Sequence, residues 1–251
     1  MRMTDIASSD GPRAPYRPES PWGPGAAVAI AIVASLGPAL IGFAVLAWLF
    51  EADLASLESA HSLASPMLLG QMIAGQILSL AIIWWAAGRK GQRAQVLRLS
   101  PERETSVLTA MALGLLLIVV IGPIEVLLYR LAELELFTDG RWLLEGLRSE
   151  YWWGVVIAAV VLAPLWEEVT FRGFLLSALA KTRLGFWPAA AISAALWTAL
   201  HAGYSWPGLV SVFLAGLGLS WIMKRTGSMR AVVIAHAVIN AFALTVISTF
   251  A

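Results

Sequence analysis

The chain has 251 residues and a mass of 26.9 kDa, a length that makes one or two domains in a water-soluble protein. Its 59% hydrophobic and 13% charged residues, with a mean hydropathy of +0.77, exclude a soluble globule and define a membrane protein. Lys and Arg number 17 against 16 Asp and Glu, a net charge of +1 too small to neutralise a phosphate backbone, so nucleic acid is excluded as a partner. Cysteine is absent, which removes disulfides, thiolate metal sites and a cysteine nucleophile.

In chain order, residues 1–24 are rich in Pro, Ser and Arg and predict a disordered cytoplasmic tail. The apolar run at 25–50 is too long for a signal-peptide core and reads as a retained anchor. Further runs of about membrane-crossing length follow at 63–88, 106–129, 152–179, 187–203, 208–223 and 231–250, the fifth and sixth spans being short. The predicted fold is therefore all-α: one polytopic transmembrane helical bundle over 25–251. It has seven spans, or eight if 130–150 hides an interfacial or re-entrant helix. Basic residues alternate between the connecting segments. One side carries Arg2, Arg13 and Arg17, then Arg89, Lys90, Arg93, Arg98 and Arg103, then Lys181 and Arg183, then Lys224, Arg225 and Arg230. The other carries only Arg130, Arg141 and Arg148, and its first loop is acidic (Glu51, Asp53, Glu58). The positive-inside rule puts the N-terminus in the cytoplasm and, with seven crossings, the C-terminus outside, in a plasma or inner membrane.

Several features have ordinary explanations. Tryptophans near span ends, such as Trp48, Trp84, Trp187 and Trp206, form an interfacial belt. Gln71 and Gln76 are expected to hydrogen-bond between helices, and Gly216 with Ser220 to mark a close helix contact. His61 is expected in a solvated loop, and Glu125, near the outer end of the third span, to snorkel toward the interface.

Ionisable side chains at mid-membrane cost about 2.5–3.5 kcal/mol each to insert, so their presence calls for a function. They concentrate in the second half of the chain: Glu167, Glu168 and Arg172 in the fourth span, His201 in the fifth, and His236 with Asn240 in the seventh. At ~1.5 Å per residue from the cytoplasmic end, Glu167 lies at roughly 17 Å, His201 at roughly 21 Å, and His236 and Asn240 at roughly 8 and 14 Å. These depths bring them toward one cavity near mid-membrane, on its cytoplasmic side. Glu168 and Arg172, at i,i+4, pair on one face and leave Glu167 to point elsewhere. Pro164 removes an N–H, frees the carbonyl of Val160 and kinks the helix where the acids begin. A glutamate, two histidines and an asparagine supply a base for water, a group to hold that water and donors for an oxyanion, the requirements of acyl-bond hydrolysis. No H-E-x-x-H or G-x-S-x-G occurs, and the aspartates (Asp5, Asp10, Asp53 and Asp139) lie outside the spans, which excludes an aspartyl dyad. A serine nucleophile is disfavoured, although Ser193 and Ser211 lie in spans.

Glu167-Glu168-Val169-Thr170-Phe171-Arg172 resembles the E-E-x-x-x-R signature of the CAAX prenyl protease and bacteriocin-processing (CPBP, or Abi) family of intramembrane glutamate endopeptidases. Trp197-x-x-x-His201 and His236-x-x-x-Asn240 are similar to its other elements, and Phe213-x-x-Gly216-Leu217, with Gly227 beyond, to its glycine-bearing helix. The likeness covers roughly 150–245 and departs at Trp197, where the family carries Phe, and at Ser220, where it carries Gly. It implies Glu167 as the base for water, His201 as its partner, His236 and Asn240 as oxyanion donors, and Glu168 with Arg172 as supports. The substrate would be a membrane-associated peptide or protein, with no cofactor. Two other readings use the same residues: a zinc-dependent hydrolase with Glu167, His201 and His236 as ligands, and a non-catalytic immunity or scaffold protein whose polar cluster only joins helices. A proton-coupled transporter ranks below them, because no inverted repeat is present.

Overall fold

The computed structural model describes residues 16–50, 65–89, 91–101 and 105–250. The expectations for residues 1–15, for His61 and for the acidic loop around Glu58 lie outside them. Every regular element among the described residues is helical. In order these are α1 (Pro24–Phe50), α2 (Pro66–Arg89), the short α3 (Arg93–Val96), α4 (Val107–Leu131), a 3-10 turn (Thr138–Gly140), α5 (Trp142–Leu147), α6 (Trp152–Ala180), α7 (Phe186–Ala199), α8 (Trp206–Thr226) and α9 (Met229–Phe250).

Six of these, α1, α2, α4, α6, α8 and α9, are long and apolar enough to cross a membrane. The seventh expected span is α7, whose 14 residues rise only about 21 Å. The stretch 130–150 forms a single 3-10 turn and the six-residue α5, so it contains no eighth span. The protein is an integral membrane helical bundle whose outward faces keep large apolar side chains such as Leu108, Val119 and Leu40 exposed, as lipid permits.

The two ends of the bundle separate as the loop charges predict. At one end Met229 N donates to Arg98 O (3.1 Å), Arg98 Nε to Gly227 O (3.3 Å) and Arg230 Nη2 to Thr105 O (2.7 Å). Lys224 sits over Phe186 and Trp187, and Lys181 bonds to Ser20 O. At the opposite end Asp139 joins the end of α4 to the start of α8 through Tyr129 and Ser205. The turn after α7 reaches that end, so α7 too runs from one end of the bundle to the other.

The described part of the segment expected as a tail, residues 16–24, packs on the bundle. Tyr16 is buried, its ring meets Phe186 edge-on at 5.0 Å and its hydroxyl lies 3.3 Å from Ser177 Oγ. Trp22 Nε1 donates to Ala86 O at 3.0 Å. Two aromatic rings bury enough apolar area to anchor a segment whose average composition reads as disordered.

The centre of the bundle is α6, whose run Val169–Ala180 is buried throughout. Small residues bring its neighbours close. A Cβ on Gly114 of α4 would lie 2.7 Å from Ala235 O of α9, and one on Gly216 of α8 would lie 2.9 Å from Ala194 Cβ of α7 and 3.1 Å from Arg172 Nη2. Gly216 is thus the close contact expected, and it packs directly on the buried arginine.

Two stretches of α6, Ile157–Leu162 and Val169–Leu175, are π-helical, a widening that often accompanies functional sites. In the first, Ala163 N bonds to Ala158 O, five residues back. The next bond of that ladder would run from residue 164 to Ala159 O, but Pro164 has no N–H. The freed carbonyl is therefore that of Ala159 rather than Val160, because the π step shifts the register by one. Asn240 Nδ2 of α9 donates to it at 2.8 Å.

Candidate active site

Glu167 and Glu168 occupy the short α-helical segment between the two π stretches of α6. Glu168 points into the core, where its Oε1 accepts from Arg172 Nη1 at 3.0 Å and from His236 Nδ1 at 2.7 Å. Glu168 and Arg172 are both fully buried. A carboxylate only accepts, so Nδ1 of His236 carries a proton and its Nε2 is directed away from Glu168. That Nε2 lies 3.9 Å from Oε2 of Glu167. The i,i+4 pair read from the sequence is present, and its carboxylate also fixes the histidine of another helix.

Glu167 is less buried, with 12% of its side chain exposed. Its Oε2 accepts from Trp197 Nε1 at 2.8 Å, and its Oε1 makes no hydrogen bond among the described residues. Sequence reasoning had no signal for this contact. Trp197 stands where the resembling family carries Phe, and it supplies an N–H that Phe lacks. Its ring also organises the neighbouring groups: the Arg172 guanidinium lies 4.3 Å from its centroid, and His201 and His236 meet it edge-on at 5.3 and 5.4 Å. His201, in the turn after α7, has Nδ1 3.1 Å from Trp197 O. A carbonyl only accepts, so this nitrogen too is the protonated one, and Nε2 keeps a lone pair in the neutral ring. The two serines that lie in spans differ: Ser193 Oγ donates to Phe171 O at 2.9 Å, whereas Ser211 Oγ is buried without a partner among the described residues.

Glu167, His201, His236 and Asn240 line one cavity of about 410 Å³. A second, of about 370 Å³ between α1 and α2, also reaches Glu167. The larger cavity opens away from the basic loops. It extends to Tyr129, Asp139 and Trp142 at the end away from the basic loops, because the buried run Val169–Ala180 fills the basic end. Glu125 lines this cavity instead of snorkelling outward. Tyr204 lies there as well, and burial, with Glu167, Asp139 and Glu125 adding repulsion, pushes its hydroxyl up to about 12. Sequence reasoning missed Asp139, Tyr129, Tyr204 and Ser205, since Asp139 falls in a segment with no periodic pattern. Among the described residues, no three His, Asp or Glu side chains form a group that could hold a metal ion.

Fold and site together define a polytopic helical membrane protein with a buried Glu–Arg–His centre and a second, accessible glutamate in a cavity wall. Residues 148–242 match the family described as Rce1-like, Type II CAAX prenyl endopeptidase. That segment, which contains Glu167, Glu168, Arg172, His201, His236 and Asn240, is similar to this family of membrane proteases. No curated protein and no solved structure matches the chain.

Proposed function

We propose that the protein is an intramembrane endopeptidase in which Glu167 activates water against a peptide bond of a membrane-associated substrate. The observation that supports this best is the contrast between the two adjacent carboxylates. Glu168 is fully buried and paired with Arg172 and His236 through Oε1, while its Oε2, without a partner among the described residues, is out of reach of water; Glu167 is 12% exposed and presents an Oε1 without a hydrogen bond among the described residues in the wall of a cavity. Glu167 takes one proton of the water while Nε2 of His201 accepts a hydrogen bond from the other. The hydroxide adds to the carbonyl carbon, and the resulting oxyanion is met by His236 and by the second N–H of the Asn240 amide. To donate to the oxyanion from Nε2, His236 has to carry a proton there as well as on Nδ1, and the charges of Glu167, Glu168, Arg172 and His236 would then sum to zero, which suits a membrane interior. Collapse of the intermediate breaks the C–N bond, and Glu167 returns its proton to the leaving amine. Side chains alone carry these steps.

The experiment compares the purified protein with its Glu167→Gln form on a quenched peptide library that includes lipidated C-terminal tails, with and without chelator. The expected result is cleavage by the parent that survives chelation and is absent from a folded Glu167→Gln protein. Loss on chelation with rescue by zinc would move the chemistry to a metal. Intact biological function in cells expressing Glu167→Gln would favour the immunity or scaffold reading.

A further inference from the structure

The part of the larger cavity away from Glu167 has chemistry of its own. Glu125 and Asp139 line it, and among the described residues no Lys or Arg does. Asp139 is held by three donors: Tyr129 Oη at 2.5 Å, Ser205 N at 2.8 Å and Ser205 Oγ at 2.7 Å. Its charge stays in place, but its hydrogen-bonding capacity is largely used. Glu125, one turn before Tyr129 on the same face of α4, makes no hydrogen bond among the described residues. On the facing wall the backbone of α8 approaches so closely that a Cβ on Gly208 would lie 2.0 Å from Asp139 Oδ2. One turn further along α8 is Ser211, 8% exposed, which lines the same cavity and whose buried Oγ has no hydrogen-bond partner among the described residues. Trp142 and Tyr204 supply aromatic walls.

A ligand group placed here meets two carboxylates, a hydroxyl without a partner and ring faces. An anion is repelled, and an apolar group leaves Glu125 and Ser211 unsatisfied. An ammonium or guanidinium gives Glu125 an opposite charge, donates to the Ser211 hydroxyl and lies against the rings. We propose that this part of the cavity is a specificity subsite for a basic residue of the substrate, with Glu125, Asp139 and Ser211 as its polar contacts. The identity of the bound segment as a peptide rests on the endopeptidase reading above. The subsite lies at the end of the bundle opposite the basic loops, and Glu125 and Asp139 precede the family-matched segment. Charge preference is thus set by a part of the chain that the family motifs do not cover.

The test uses fluorescent peptides identical except for Lys, norleucine or Glu at one position, scanned along the peptide. Binding is measured on the full chain carrying Glu167→Gln in nanodiscs, where turnover does not interfere, and cleavage on the parent. At one position the Lys peptide is expected to bind at least about tenfold more tightly than the Glu peptide. Adding Glu125→Gln should largely flatten that ratio, Glu125→Lys should invert it, and Ser211→Ala should reduce it. Equal affinities at every position, absence of binding, or a Lys preference that persists in both Glu125 variants overturns the subsite. If Glu125→Lys does not fold, Glu125→Gln decides. A Glu125-dependent Lys preference without cleavage by the parent keeps the subsite and overturns the endopeptidase reading; cleavage without charge preference does the reverse.

Discussion

An indole N–H donating to a carboxylate at 2.8 Å occupies one lone pair that could take a proton from water, and it fixes the direction of the other oxygen. Trp197 does this for Glu167 while its ring face carries Arg172, so one side chain links the accessible carboxylate to the buried charge network. A hydrogen bond to a charged group contributes about 1.5–3 kcal/mol. Trp197→Phe should therefore lower kcat about tenfold or more and leave KM nearly unchanged, as steady-state rates on a cleaved peptide would register. An unchanged kcat would mean that Glu167 does not need this donor. Behind it, Arg172→Ala removes the cationic partner of the fully buried Glu168, leaving it only His236, and should cost about 3–5 kcal/mol, read as a large fall in Tm in detergent. The Glu168–Arg172 pair was legible because i,i+4 spacing fixes a shared helical face. The His236–Glu168 bond was not, since the rotation of α9 about its own axis is set by contacts such as Gly114 against Ala235, which no local pattern encodes.

Within α6 the backbone itself has been adapted. Pro164 announces a broken ladder in the sequence, and the helix does change there, but the π step moves the unpaired carbonyl from Val160 to Ala159. A five-residue hydrogen-bond register cannot be distinguished from a four-residue one by apolar pattern, so the displacement was invisible beforehand. Asn240 and Pro164 are coupled through that carbonyl. Asn240→Ala should cost about 1–3 kcal/mol by leaving it unsatisfied, whereas in a Pro164→Ala background the restored N–H takes over and the penalty shrinks by about 1 kcal/mol. Unfolding of the two single variants and the double variant measures this coupling, and strictly additive losses would show that the residues do not share the carbonyl. Because α6 is continuous, a change at Ala159 also shifts Glu167 two turns on.

Across the whole molecule, the alternation of basic and acidic loops matches the observed meeting of Arg98, Gly227, Arg230 and Thr105 at one end and of Tyr129, Asp139 and Ser205 at the other. Charge carried that information because each loop belongs to one end only. The chain has no cysteine, so single cysteines report sidedness without background. Arg183→Cys is expected to react with a membrane-impermeant maleimide only after the cells are opened, and Glu135→Cys in intact cells. The reverse pattern would invert the assigned orientation. Span length was less legible: 187–203 reads as a run of apolar residues, whereas the helix within it ends at Ala199 and the chain turns through His201 to Tyr204. At about 21 Å, α7 is shorter than an average hydrocarbon core of about 30 Å, and it lies at the bundle periphery, where Trp187 and Ile192 are exposed. Lipid beside it has to thin, or α7 has to recruit its flanking residues to the surface. Since the turn that ends α7 carries His201, acyl-chain length in the surrounding bilayer is expected to act on the position of that imidazole, and cleavage rates in bilayers of shorter and longer lipids would check whether membrane thickness is felt at the site.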